Sequence, residues 1–511
     1  MRASPLHQNP SVAPLGERIP AATGRWQQGP HGYADPMPPA QAHSPGMVGA
    51  PQVPGVVVDY QAVRLIKKEV GERLTALLRT QPGMSLGAQE QQGRALINEQ
   101  VAVWADAVAI ERGVATAAVE DAAVAQAVFD LQFRAGRLQQ HLDNPQVENI
   151  LINGYRDVAL DFTDGRRLAV APVADSDEEL RELLRDLARQ SGQSERTLST
   201  ANPFLALRLP DGSRLQAITD VTPGTYVTIR RHGQRHADLA DLVRLGMIDT
   251  TLAAFLAACV KARKNVMVAG GQAAGKTTLL RALLKQTDPD ERFATLETEY
   301  ELWAHTNGYH RQVVPLEARE SNGERVDGHS AGEITLMDLM YRALRMSLAR
   351  VVVGEVRGPE IVAMMQAMTN GQGGNLCTIH ASHPSVVFDR IAELYLQAQG
   401  NMTPELAYRQ AAHGLDFIVY VDGSIDERPI GGRRHRFVTH VLEVTGIGEA
   451  GRPDTNQIFG PAPQWDEPRA VPHMHPRCIN ELRRTGFDSD LLSAPRGTWR
   501  GGLPLLVGGA P

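Results

Sequence analysis

The sequence predicts an α/β protein whose main domain is built on a mostly parallel sheet, preceded by a smaller α+β domain and an N-terminal helical unit. Three observations carry this expectation. Apolar strand-like runs alternate with helical periods across residues 251–450, a pattern that needs a parallel sheet covered on both faces. Residues 144–236 show shorter strands joined through Asp-Gly turns, with one amphipathic helix among them. The length of 511 residues suggests roughly three domains at about 150 residues each.

Composition bounds the function. The chain is 42% hydrophobic and 22% charged, which permits a sizeable core and excludes disorder throughout. A net charge of −6 argues against a strongly basic nucleic-acid binder, and no direct nucleic-acid binding is expected. Cys259, Cys377 and Cys478 lie far apart and in no Cys/His metal spacing, so neither a disulfide scaffold nor a structural zinc site is expected. No apolar run approaches the roughly 20 residues that span a bilayer. The N-terminus lacks the basic-then-apolar pattern of a signal peptide. A soluble, cytoplasmic protein is the expectation.

The elements follow in order. Residues 1–57 hold 11 of the 32 prolines and 7 of the 47 glycines and read as a disordered tail, with too little apolar surface to offset the entropy of ordering. Residues 58–143 form the helical unit: Val63, Ile66, Val70 and Leu74 recur at helical spacing, and further helices are expected over about 88–110 and 116–142. In 144–236, Glu148 to Asn153 reads as a strand, Asp164-Gly165 and Asp211-Gly212 as hairpin turns, and Ser176 with Glu179 as a capping box. Residues 237–250 are a linker. A helix over about 251–262 then precedes the strand 265–269, with later strands at 293–297, 313–316, 351–354 and 376–379. Residues 451–511, rich in Pro and Gly, read as a peripheral segment.

One motif stands out. Gly270-Gly271-Gln272-Ala273-Ala274-Gly275-Lys276-Thr277 matches GxxxxGK[ST] between an apolar strand and a helix beginning Thr278-Leu279-Leu280. Glycines let backbone amides turn toward a phosphate chain, and the helix N-terminus adds partial positive charge. Lys276 would reach the β- and γ-phosphates of ATP and Thr277 would ligate Mg2+, with Thr278 completing the nucleotide-binding set. About 75 residues later, Val351-Val352-Val353-Gly354-Glu355 is an apolar strand ending in a carboxylate, placed to serve the metal shell or polarise water. Glu297, at another predicted strand end, is a candidate general base.

Further boxes occur in order: Glu333-Ile334-Thr335, Leu344-Arg345-Met346, Val353-Gly354-Glu355-Val356-Arg357-Gly358, Gln366-Ala367-Met368 and Thr378-Ile379-His380-Ala381. With Leu209-Pro210-Asp211-Gly212 and Thr228-Ile229-Arg230-Arg231 upstream, they resemble the secretion and pilus-assembly ATPases of the type II/type IV superfamily, most nearly the CpaF branch that drives tight-adherence (Flp) pilus assembly. The resemblance covers roughly 60–445. It implies a RecA-like P-loop ATPase lobe and a smaller lobe, with ATP and Mg2+ between them. It also implies a homohexamer on the inner face of the cell membrane, coupled to a polytopic inner-membrane platform protein. By the same resemblance Glu355 is the Walker B glutamate, Glu297 the acidic residue of the Asp box, and His380 belongs to the His box. Arg230 or Arg231 would be the arginine that the smaller lobe directs at the nucleotide.

The sequence departs from that pattern in places. Glu297 is followed by Thr298 where the family has a second carboxylate, and the His box opens Asn370-Gly371-Gln372-Gly373-Gly374. Two alternatives therefore stand beside the pilus motor. One is a type IV secretion or conjugation ATPase, and the other is a weakly hydrolysing, nucleotide-responsive scaffold.

Overall fold

The computed structural model describes residues 58–506 except 192–197, 201, 232–236, 320–324, 327–328, 331, 372, 399, 401, 431 and 449. The tail expected over 1–57 and Gln372 of the His box lie outside the described residues. In the helical unit, Val63, Ile66 and Val70 on helix Tyr60–Thr80 meet Ile97 and Val101 on helix Leu86–Arg112 and Val124 and Val128 on helix Ala118–Phe133. Each stripe lies on one helical face, so docking the three buries a small shared core. The single helix expected over 116–142 is broken. It stops at Phe133, and a 3₁₀ turn, Gly136–Leu138, leads into the short helix Gln139–Asp143. Gly136 takes a left-handed φ of 54°, which an α-helix cannot contain.

The smaller sheet has six antiparallel strands in the order Arg167–Val170, Asp157–Phe162, Val147–Asn153, Tyr226–Arg230, Arg214–Ile218, Phe204–Arg208. Alternate residues such as Ile150, Ile152, Val227 and Ile229 pack with Leu180, Leu184 and Leu187 of helix Asp177–Gln190. The expected capping box is half formed. Ser176 accepts the Glu179 N–H at 3.1 Å, but the Glu179 carboxylate accepts from Asp175, at 2.7 Å. Arg64 pairs with Asp175 and Glu179, and Lys67 with Asp186, tying the helical unit to this helix.

The larger sheet has nine strands. Their order is Glu467–Pro472, Pro453–Ala462, Phe437–Ile447, Phe417–Asp422, Val266–Gly270, Leu376–His380, Arg350–Val356, Phe293–Glu297, Val313–Glu317. The last six run parallel, and the first three are antiparallel additions. Strand alternation gives two cores. Val266 and Val268 face helices Thr250–Lys261 and Lys276–Leu284, while Met267 and Ala269 face helices Leu336–Ala343, Glu360–Thr369 and Val387–Gln397.

The segment from 451 onward, expected to be peripheral, instead supplies two strands of this sheet. Phe459 is fully buried with its ring 5.1 Å from that of Phe255. Its prolines misled the reading: Pro453 opens one strand and Pro472 closes the other, positions at the ends of strands where the lost N–H is tolerated.

Candidate active site

Strand Val266–Gly270 is buried throughout and lies between Leu376–His380 and Phe417–Asp422, which reach it from later in the chain. Such a switch in strand order opens a crevice beyond the carboxyl ends of the strands. Gly270 ends the strand against its neighbour: a Cβ there would stand 2.3 Å from the Val421 carbonyl oxygen, so only glycine permits the approach. The loop then reverses through Ala273, at φ 57°, and Gly275, at φ 102°, into helix Lys276–Leu284. Successive amides in such turns and the exposed helix N-terminus form an anion cradle.

Lys276 is buried to 6% exposure. Its Nζ donates to the Gly271 carbonyl at 2.9 Å and lies 3.1 Å from His380 Nδ1. The other ring nitrogen, Nε2, lies 2.5 Å from Glu355 Oε1, and the Arg357 guanidinium donates to Glu355 Oε2 at 2.5 Å. The lysine at the helix start and the histidine and glutamate of two neighbouring parallel strands thus form one chain of polar contacts. Burial pushes the Lys276 amine down to about 8, with the Glu355 carboxylate opposing and the Arg230 and Arg357 charges adding to the shift. Burial works against ionising Glu355, but the hydrogen bonds from His380 and Arg357 outweigh it and hold the carboxyl at about 2.

Glu297 closes the strand beside that of Glu355 and packs over Gly354, whose Cβ position is 3.1 Å from Glu297 Cγ. Its Oε1 accepts the N–H groups of Glu301 at 2.8 Å and Leu302 at 2.7 Å, while the buried Oε2 has no hydrogen-bond partner among the described residues. Burial raises its pKa to about 7, against the lowering effect of those two backbone donors. Thr277 Oγ1 donates to Glu301 Oε2 at 3.4 Å. The Thr277 hydroxyl, with the Glu301 and Glu355 carboxylates in the same acidic pocket, is a donor set suited to a hard cation such as Mg2+.

One cavity lies at the strand-end carboxylates and another at the phosphate loop. The first is acidic and lined by Glu297, Glu299, Glu301, Glu355, Arg214 and Arg357. The second, of about 600 Å³, lies between the smaller sheet and the phosphate loop, with Arg230, Arg231, Gly275 and Thr278 in its wall. Arg230 is close enough to depress the Lys276 pKa. Arg231 instead donates to the backbone carbonyls of Asn144 and of Val147, the latter at 3.1 Å. Both arginines border the cavity, but only Arg230 has an electrostatic effect on Lys276 among the resolved interactions of that lysine. Ala274, within the loop, is buried.

The sequence reading missed part of this wall. Arg434 donates to the carbonyls of Gly423 at 2.6 Å and Gln272 at 3.3 Å, buttressing the loop. The basic run Arg433-Arg434-His435-Arg436 was the available signal. Met247 Cε would lie 3.4 Å from a Cβ on Gly275, and nothing in the sequence marked it.

A phosphate cradle, a buried lysine and paired strand-end carboxylates on a RecA-like sheet define an ATP-hydrolysing enzyme of the P-loop class. The chain belongs to the Type II/IV secretion system protein family, which matches residues 135–415. It is 34% identical over 295 residues to a "Putative conjugal transfer protein" of Mycobacterium tuberculosis, covering 56% of this chain and 80% of that one. It is 28% identical over 338 residues to the type IV secretion system protein VirB11 of Brucella suis, covering 60% and 90%. The crystal structure of the Brucella suis VirB11 ATPase in complex with sulphate aligns over 63% of this chain and 96% of that one, at 25% identity and a TM-score of 0.31. Among the described residues, no helix is long and apolar enough to cross a membrane.

Proposed function

We propose that the chain is a motor ATPase that binds Mg2+-ATP at 270–278 and hydrolyses it to power pilus assembly or protein secretion. The observation that carries this reading is the convergence of His380, Glu355 and Glu297 at neighbouring strand ends beside Lys276 and the phosphate loop. Lys276 and the loop amides hold the β- and γ-phosphates. Thr277 and the ionised Glu355 hold the metal shell, and the ion supplies charge neutralisation at the phosphates when bound. Glu297, with one free oxygen and a pKa near 7, accepts the proton of the attacking water. His380 positions Glu355 and links it to Lys276. Arg230 approaches the phosphates from the smaller lobe and stabilises developing charge.

The working form is a homohexamer, coupled to a polytopic platform protein at the inner face of the cell membrane. A tight-adherence pilus machine of the CpaF type is one setting. The conjugal-transfer and VirB11 names of the relatives favour a second, type IV secretion or conjugation. Steady-state phosphate release from the full chain tests the enzymatic core. Glu355→Gln should retain ATP binding and lose about 10²-fold or more in kcat. Full activity in that variant would remove Glu355 from the mechanism.

A further inference from the structure

The mechanism leaves residues 498–506 unused, although Leu503 and Pro504 among them border the 600 Å³ cavity beside the phosphate loop. This segment lies well beyond the family match, which ends at 415. It is pinned at both ends. Asp249 Oδ2 accepts the Thr498 N–H at 2.6 Å and its hydroxyl at 3.0 Å. The same Asp249 caps helix Thr250–Lys261. Trp499 Nε1 donates to the Ala470 carbonyl at 2.9 Å, and the Arg469 guanidinium sits 4.0 Å from the centre of the Trp499 ring. At the far end the Leu506 N–H donates to Glu427 Oε1 at 2.8 Å, and Glu427 Oε2 meets the buried His435 Nε2 at 2.9 Å. Between these anchors Leu503 and Pro504 line the cavity.

The wall combines charge with apolar surface. It is strongly basic, with Arg230, Arg281, Arg434 and Arg469 among its eight arginines against Glu148 and Asp164, while Met247, Phe437, Leu503 and Pro504 give it apolar surface. Met247 lies against Gly275, so the apolar surface begins at the phosphate loop itself. The opposite cavity is walled by four glutamates, with Arg214 and Arg357 beside them. That environment suits the metal-bearing terminal phosphate and repels an uncompensated anion. A phosphate chain held across the loop therefore directs its nucleoside end into the larger cavity, whose volume falls within the range of small-ligand sites, about 300–1,000 Å³.

We infer that residues 498–506 form a wall of the nucleoside pocket, with Leu503 and Pro504 packing on the base or sugar, so that this segment sets affinity for the nucleoside half of the nucleotide. The inference rests on the ATP-binding reading above. Calorimetric titration of the full chain with Mg2+-ATP and with inorganic tripolyphosphate tests it, because the second ligand lacks the nucleoside. Leu503→Trp fills the pocket and should raise the Kd for ATP about tenfold or more while the Kd for tripolyphosphate stays within about twofold. Leu503→Ala, a smaller change that spares the fold, should shift the ratio of the two constants in the same direction by less. Unchanged ATP affinity in both variants, or a parallel weakening of both ligands by Leu503→Ala, would overturn the inference and leave the ATP site standing. A parent chain that binds neither ligand would overturn both.

Discussion

Glu297 and Glu355 end adjacent strands, yet one keeps its proton up to about pH 7 and the other releases it near pH 2. Burial alone would raise both. The difference lies in their partners: Glu355 has an imidazole and a guanidinium, whereas Glu297 has two backbone amides on one oxygen and nothing on the other. Both protonation states of Glu297 are therefore accessible near neutrality, as a general base requires. For the free enzyme, kcat/KM for ATP should rise with pH through an apparent pKa near 7. Glu297→Gln should lose that limb together with about 10²-fold or more of the rate. A stability signature goes with it. The folded chain holds a proton that the unfolded chain releases above the ordinary value of 4.5, so this group's stabilisation fades as pH rises from there through about 7. Glu297→Gln is never charged, so its thermal midpoint relative to the parent should be higher at about pH 8 than at about pH 5. Glu355 has the opposite sign: its contribution is present above 4.5 and is lost as pH falls toward 2.

At the scale of elements, what was legible depended on whether the signal was local. The phosphate loop, the strand before it and the helix after it read directly, because glycine spacing and apolar runs reflect backbone needs within a few residues. The Asp-Gly hairpins read for the same reason, with Gly165 at φ 91° and Gly212 at φ 80°. The break at Gly136 was hidden because helical spacing continues on both sides of it. Strands Pro453–Ala462 and Glu467–Pro472 were hidden because their apolar residues are sparse and flanked by Pro and Gly. Only pairing with Phe437–Ile447, which no local pattern announces, makes them part of the sheet. The arginine wall of the larger cavity was legible in part: Arg230 stood in a matching box and Arg434 in a basic run, but no local pattern joins these two elements some 200 residues apart. The hidden strands can be weighed experimentally. Phe459 is fully buried and sits among Phe255 and its neighbours, so Phe459→Ala should destabilise the chain by about 3–5 kcal/mol, the usual range for removing a buried phenylalanine. Denaturant midpoints measure this. A loss below about 1 kcal/mol would mean the segment adds little to the core.

At the scale of the whole molecule, the smaller sheet touches the larger one through charge. Arg208 pairs with Glu317, Arg214 with Glu299 at 2.7 Å, and Arg436 reaches back to Glu148 at 3.3 Å. Partly exposed pairs of this kind contribute little stability singly. Arg230 and Arg231 sit at the end of strand Tyr226–Arg230, beside this junction, but in different roles. Arg231 is spent on the carbonyls of Asn144 and Val147, bracing its own lobe. Arg230 borders the cavity and acts on Lys276 across the gap between lobes. A triphosphate carries more negative charge than Lys276 and one divalent ion neutralise, so a further cation at Arg230 should matter most when charge migrates during phosphoryl transfer. Arg230→Ala should therefore lower kcat by about 10²-fold or more with a smaller change in ATP affinity. Arg231→Ala should leave kcat within about tenfold and instead cost about 1–2 kcal/mol of stability through its unsatisfied carbonyls. Both are read on fractions sized by light scattering, so that a change of assembly is not mistaken for a change of chemistry. Equal rate losses in the two variants would place the arginine pair in a common bracing role, and parental turnover in Arg230→Ala would remove it from the nucleotide.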